Sequence, residues 1–141
     1  SSEVILVATP EPTSITDAYA LLKTLNRKSE FSVSNTNISM LANRITSEED
    51  GKELYEKLRV VTDKFLQIPL TYLGGVPQDN NVSKAVIQQK PVTQMFPNSE
   101  ASKALIRIAE KICNGSDVVV HEKKGMAQLF SNLIKSKYRK K

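Results

Sequence analysis

Cysteine and histidine are nearly absent, since the 141 residues contain only one of each. The single cysteine, Cys113, excludes an internal disulfide and fits a reducing compartment. It is expected to be a small apolar residue on a helix rather than a reactive thiol. His121 belongs to no recognisable metal-ligand motif. The sequence therefore offers no visible catalytic triad or dyad and no metal-ligand set.

Long apolar runs are also absent, and none approaches the roughly 20 residues that a bilayer-spanning helix needs. The first residues lack the basic region and apolar core of a signal peptide, so we expect a cytoplasmic protein. Apolar residues make up 40% of the chain and charged residues 25%, close to globular averages. A chain of this length and composition is expected to bury the core of one domain.

The sequence also lacks a phosphate-binding loop. No G-x-x-x-x-G-K-[ST] motif occurs, and the pair Gly74-Gly75 has no Lys-Ser or Lys-Thr behind it. No strand end carries the aspartate that would hold Mg²⁺ and orient an attacking water. We therefore expect that this chain does not hydrolyse ATP alone.

Three apolar runs predict buried strands of a parallel sheet, at residues 4–8, 38–42 and 70–76. Apolar residues at helical spacing between and after them predict helices. Ser14, Ser47 and Ser99 are the expected N-cap residues. The apolar stripe of the second helix is expected to include Leu58 and Phe65.

The alternation of strands and helices predicts an α/β fold with a mostly parallel sheet flanked by helices. Three strands are few for such a sheet, and the first is expected at a central position whose other edge pairs with strands that this sequence lacks. We therefore expect residues 1–115 to form the second half of a doubly wound domain. Residues 116–141 are expected to be a linker and a basic amphipathic tail helix.

Several segments together carry a family resemblance. TPEPTSITDAYALLK (residues 9–23) resembles the segment after the Walker B region of MinD/ParA-type P-loop ATPases, the deviant Walker A group of the SIMIBI class. The likeness continues, in order, through LANR (41–44), YLGGVPQD (72–79), QKPV (89–92) and PNSEAS (97–102). It covers nearly the whole chain. Within the family, the sequence is most similar to flagellar-number regulators of the FlhG/FleN/YlxH type.

The resemblance implies a nucleotide-base site. Asn43 matches the asparagine that reads the adenine edge through its side-chain amide, and Arg44 follows it. Pro77 and Asp79 match the loop that closes over the base. The implied cofactor is ATP or ADP with Mg²⁺, bound only together with the missing N-terminal half. The alternative for Asn43 is an asparagine that ends a strand in a turn.

The resemblance also implies a homodimer. Glu11, Thr13 and Asp17 match positions that face the other subunit, where an acidic group can pair with the signature lysine of the partner's P-loop. The alternative for Asp17 is a helix-capping residue, and the two roles can coexist.

The C-terminal segment is strongly basic. From Lys123 onward it contains seven cations and no acidic residue, whereas the whole chain has a net charge of +5. Its apolar residues recur at helical spacing and are flanked by Lys123, Lys124, Lys135 and Lys137, which predicts an amphipathic helix lying on an anionic membrane. The expected membrane-binding residues are Met126, Leu129, Phe130, Leu133, Ile134, Lys135 and Lys137. The alternatives are a final helix packed on the body and, with little aromatic support, a nucleic-acid contact.

Two functional hypotheses follow. In the first, the chain is the C-terminal part of a MinD-like regulatory ATPase that controls flagellar number or placement. It would sit at the inner face of the cell membrane, with flagellar assembly or regulatory proteins as partners. In the second, it is a non-catalytic adaptor derived from that fold, or a relative that acts in chromosome or plasmid partitioning.

Overall fold

The computed structural model describes residues 2–27, 36–66 and 69–114. The secondary-structure elements, in chain order, are β1 (Ser2–Ala8), α1 (Pro12–Arg27), β2 (Thr36–Ile45), α2 (Glu48–Val61), a π-helical turn (Thr62–Leu66), β3 (Leu70–Pro77), α3 (Asn80–Ile87), α4 (Val92–Met95) and α5 (Glu100–Asn114). Contacts divide the chain into one unit of residues 1–104 and another that begins at Leu105. The sheet and the predicted base-binding and partner-facing residues belong to the first unit.

The three strands form one parallel sheet in the order β1-β2-β3. Val4 is paired with Ile38, and Ile38 in turn is paired with Leu70. Parallel neighbours need a crossover between them, and the helices α1 and α2 lie in these connections. The predicted α/β class and parallel sheet are confirmed.

The hydrophobic core lies between one face of this sheet and the helices α1 and α2. Met40 and Leu22 are fully buried in it, and Leu58 is 1% exposed. At its margin the rings of Tyr55 and Tyr72 stack with centroids 5.3 Å apart. The Tyr55 hydroxyl donates a hydrogen bond of 2.7 Å to the Leu70 carbonyl, so the ring pair joins α2 to β3.

The prediction that Ser14 caps α1 is wrong, because the helix begins two residues earlier, at Pro12. Proline suits a first helical position, where its fixed φ fits the helix and its missing N–H needs no partner. Ser14 therefore lies inside the first turn, and its Oγ accepts a hydrogen bond of 2.9 Å from the Thr9 amide. The predicted cap of α2 is confirmed, since Ser47 Oγ accepts from the Asp50 amide at 3.3 Å.

The prediction that Phe65 is buried is also wrong, since its side chain is 63% exposed. The π-helical turn after Val61 adds a residue to the helical repeat and moves the buried face along the chain. Thr62 and Leu66 are buried in its place. The Thr62 hydroxyl donates to the Arg59 carbonyl at 3.0 Å, so this buried polar group is satisfied.

Strand β1 lies at the end of the sheet. Within the described ranges, β2 is its only strand partner. Leu6 and Ala8 face the core, whereas Ile5 is 44% exposed and Val7 is 56% exposed. Parallel strands are normally covered on both faces, so this apolar side of β1 is unusual for the class.

Candidate functional site

Three chain segments meet at the carboxyl edge of the sheet. Glu11 follows β1, Asn43 and Arg44 lie at the end of β2, and the loop of residues 77–79 leaves β3. The register aligns these ends, because Ala8 is paired with Ala42 and Asn43 with Val76. In open α/β sheets this edge is where ligands bind. The structure thus brings the predicted base-binding positions and Glu11 to one edge.

Arg44 forms a bulge at the end of β2. The register shifts between Asn43 and Ile45, which leaves Arg44 without an opposing residue on β3. Its φ of 56° is left-handed, a conformation that costs a side-chain-bearing residue about 1–2 kcal/mol. Bulges of this kind redirect side chains near functional sites. Here the guanidinium Nη1 lies 3.6 Å from Glu11 Oε1.

Asn43 is half-buried one residue before this bulge. No hydrogen bond joins its side-chain amide to another residue of the described ranges. An amide side chain offers both a donor and an acceptor, and it can pair with two adjacent groups on the edge of adenine. Asn43 is therefore chemically suited to the role that the family resemblance implies for it.

The loop of residues 77–79 is held by backbone hydrogen bonds on both sides. The Gln78 amide donates to the Ile45 carbonyl at 2.9 Å. Asp79 Oδ2 accepts from the Ala101 amide at 3.1 Å, and Oδ1 accepts from the Asn81 amide at 2.9 Å. These bonds, the one to Ala101 foremost, hold the pKa of Asp79 below its usual range.

The second hydrogen bond of Asp79 could not be expected from the sequence. An aspartate just before α3 is a typical N-cap, and the bond to Asn81 follows that rule. The Ala101 amide is 22 residues further along the chain, and only the fold places it beside Asp79. Both oxygens of Asp79 are thus engaged with backbone amides, and this residue differs from Asn43 in that respect.

The predicted partner-facing residues lie on the surface around the start of α1. Glu11, Thr13 and Asp17 are all exposed. Thr13 and Asp17 line a depression of about 400 Å³, which Val7 and Leu21 also line. Asp17 lies in the second turn of α1, so it does not cap this helix. The depression adjoins the exposed apolar side of β1.

Comparisons with known proteins agree with this geometry. No protein-family model matches the chain. It is 46% identical over 112 residues to the antiactivator FleN of Pseudomonas aeruginosa, a match that covers 79% of this chain and 39% of FleN. It is 28% identical over 135 residues to the flagellum site-determining protein YlxH of Helicobacter pylori, covering 94% of this chain and 44% of YlxH.

Two further matches extend the group. An uncharacterized ATP-binding protein of Methanocaldococcus jannaschii is 30% identical over 132 residues, covering 94% of this chain and 45% of that protein. The septum site-determining protein MinD of Pyrococcus horikoshii, solved with Mg-ADP, superposes with a TM-score of 0.58 at 22% identity. That superposition covers 86% of this chain and 43% of MinD, and it shows the shared fold. The resemblance of this chain to MinD/ParA-type ATPases is thus confirmed over part of their length.

The match to this family is partial in length. The chain spans less than half of each curated relative described above, between 39% and 45%. In the ranges that the structure describes, the chain provides three strands of this fold, their helices and the residues at the strand ends.

The described residues fit the base end of a nucleotide better than its phosphate end. Asn43 and the loop of residues 77–79 provide hydrogen-bonding groups and a fixed backbone at the strand ends. The described ranges contain no group of three or more His, Cys, Asp or Glu side chains placed to hold a metal ion. They also lack the glycine-rich loop and lysine of a phosphate cradle. Binding of the phosphates or of Mg²⁺ is therefore not assigned to the described residues.

The predicted membrane-binding helix lies outside the described residues, and this includes every position from Met126 to Lys137. Within the described ranges, no helix combines the length and apolar character needed to cross a bilayer.

Proposed function

We propose that this chain is the adenine-recognising and partner-facing part of a MinD-like regulator of flagellar number or placement. The observation that carries the proposal is the meeting of Glu11, Asn43 and the loop of residues 77–79 at one edge of the sheet. The similarity to FleN and YlxH supports the flagellar assignment.

Base recognition is assigned first to Asn43. Its half-buried amide is available to pair with the edge of adenine, while the loop of residues 77–79 forms a wall beside it. ATP or ADP is the proposed ligand, in line with the names of the archaeal ATP-binding relative and the Mg-ADP complex of MinD. The phosphates and Mg²⁺ are proposed to be held by another part of the protein.

That other part is proposed to cover the exposed side of β1. Ile5 and Val7 present apolar surface there, and β1 has a strand partner on one side only within the described ranges. Burying such surface contributes about 25 cal/mol per Å² of apolar area. A further strand and helix in this position would both complete the sheet and supply the phosphate-binding residues.

Dimer contacts are assigned to Glu11, Thr13 and Asp17. All three are exposed near the carboxyl end of β1, so their side chains can reach a second subunit. A carboxylate at this place can form a charge-assisted bond with a partner lysine. Flagellar assembly or regulatory proteins are the proposed further partners.

The basic tail is proposed to bind the inner face of the cell membrane. Only the sequence supports this: five apolar residues at helical spacing and flanking lysines, the last being Lys137. Each lysine near an anionic surface contributes about 1 kcal/mol, so one tail binds weakly and a dimer binds more firmly.

Calorimetric titration of ADP into the full-length protein that contains this chain tests the proposal. Asn43→Ala is expected to weaken ADP binding roughly tenfold or more, since an amide–adenine pair contributes about 1–3 kcal/mol. The matched control is Asn26→Ala, which removes an exposed amide near the end of α1 and should leave affinity unchanged. Wild-type protein that does not bind ADP would instead support the non-catalytic adaptor.

A further inference from the structure

Asp79 joins the starts of two helices, α3 and α5, that follow the proposed base loop in the chain. Its Oδ1 accepts from the Asn81 amide at the start of α3, and its Oδ2 accepts from the Ala101 amide at the start of α5. We propose that Asp79 is a positioning residue, which holds the loop of residues 77–79 at the base site and does not itself bind the base. This inference rests on the proposed function.

The loop is fixed to β2 on its other side. The Gln78 amide donates to the Ile45 carbonyl at 2.9 Å, and Ile45 lies two residues after Asn43. Residues 77–79 are therefore anchored both to the strand that carries the proposed base-reading amide and, through Asp79, to α5. Their distance from Asn43 is set by these anchors, because backbone groups at both sides are already paired.

The anchor on α5 is itself rigid. Ser99 Oγ accepts from the Ser102 amide at 3.2 Å, which caps the helix as the sequence predicts. The Ser102 hydroxyl is fully buried and donates to the Phe96 carbonyl at 2.6 Å. The Ala101 amide thus belongs to a helix start whose neighbouring polar groups are satisfied, so Asp79 is attached to a fixed point.

A carboxylate suits this position better than any other side chain. Two oxygens can each accept from one amide, and the negative charge favours two helix N-termini. Asparagine has one oxygen, so Asp79→Asn keeps one of the two bonds and turns an NH₂ group toward the other amide. Alanine keeps neither bond. Asp79→Asn therefore removes one of the two hydrogen bonds that hold the loop, and Asp79→Ala removes both.

The test compares ADP with pyrophosphate on the full-length protein, by calorimetric titration well below the thermal midpoint of each variant. We expect Asp79→Ala to weaken ADP binding roughly tenfold and pyrophosphate binding less than about twofold, because only the base depends on the loop. Asp79→Asn should fall between wild type and Asp79→Ala. Asn26→Ala, at an exposed position near the end of α1, should change neither affinity.

The outcomes separate the two proposals. Equal losses for ADP and pyrophosphate, or unchanged ADP binding in Asp79→Ala, would overturn the positioning role and leave the proposed function intact. If Asp79→Ala does not fold, Asp79→Asn gives the same comparison with one bond retained. Failure of the wild-type protein to bind ADP would contradict the proposed function itself.

Discussion

Arg44 Nη1, at the end of β2, lies 3.6 Å from Glu11 Oε1, in the connection between β1 and α1. The two side chains are 58% and 62% exposed, so solvent screens the pair and its contribution stays below about 1 kcal/mol. The left-handed backbone at Arg44 costs about 1–2 kcal/mol, which equals or exceeds the contribution of the ion pair. The bulge is therefore held by the surrounding strands, and the ion pair follows from it.

A glycine at position 44 is accordingly expected to be tolerated. Arg44→Gly removes the left-handed strain, and its gain should equal or exceed the lost ion pair, so the free energy of unfolding should be unchanged or higher by about 1 kcal/mol. Denaturant unfolding checks this. The control Arg107→Gly, inside the helix α5, should lose about 1 kcal/mol. A loss in Arg44→Gly as large as in the control would show that the ion pair outweighs the strain.

Ser102 is expected to be important for the start of α5. Its hydroxyl is fully buried and donates to the Phe96 carbonyl, so Ser102→Ala removes this bond, while the carbonyl still accepts from the Ser99 amide. The free energy of unfolding should fall by about 0.5–1.5 kcal/mol. Ser83→Ala, at an exposed position of α3, should cause no loss. Equal stability of the two variants in denaturant unfolding would refute the role of this hydrogen bond.

Replacing Gly51 by alanine is expected to lower the free energy of unfolding. A Cβ at this position would meet the Tyr72 hydroxyl, and Tyr72 is fixed by its stacking on Tyr55. Glycine-to-alanine changes inside a helix normally stabilise, but here overpacking should cost about 1–3 kcal/mol. Adding Tyr72→Phe, which deletes the hydroxyl, should recover much of the loss. A double variant no more stable in denaturant unfolding than Gly51→Ala alone would place the conflict elsewhere.

Lowering the pH is expected to reduce the free energy of unfolding, in part through protonation of Asp79 and Asp50. Hydrogen bonds from the Ala101 and Asn81 amides lower the pKa of Asp79, and those from Thr46 lower the pKa of Asp50, both from an ordinary value of 3.8. The folded state then binds these protons less readily than the unfolded state. Their stabilising contribution is therefore full above pH 3.8 and is lost as pH falls through the folded-state pKa values.

The double variant Asp50→Asn/Asp79→Asn checks this sign. Its free energy of unfolding, measured from about pH 5 down to about pH 2, should fall less steeply than that of wild type. Each single variant should show part of the change. Identical slopes in wild type and double variant would mean that other groups control the acid transition.

The regular elements of the fold could be predicted from the sequence. The three apolar runs and the helical spacing of residues such as Leu54 and Leu58 gave the strands and helices, because burial imposes these periods directly. The two failures arose where local geometry changes the period or the start of a helix. The π-helical turn exposes Phe65, and Pro12 sets the start of α1 ahead of Ser14.

The sequence was enough to predict where the site residues lie in the fold, but not which contacts they make. Motif residues such as Asn43 and Asp79 could be placed at strand ends because parallel strands share one carboxyl edge. The bulge at Arg44 and the bond from Ala101 to Asp79 depend on sheet register and on a separation of 22 residues. Neither has a local sequence signal.

The central claim is that another part of the full-length protein covers the apolar side of β1. Thiol labelling tests it most directly, using Val7→Cys and Val60→Cys variants, each in a Cys113→Ser background. These two valines are 56% and 54% exposed in this chain, so they form a matched pair. We expect the thiol at position 60 to react readily with a water-soluble maleimide and the thiol at position 7 to be protected. Equal labelling at both positions in the full-length protein would contradict the account.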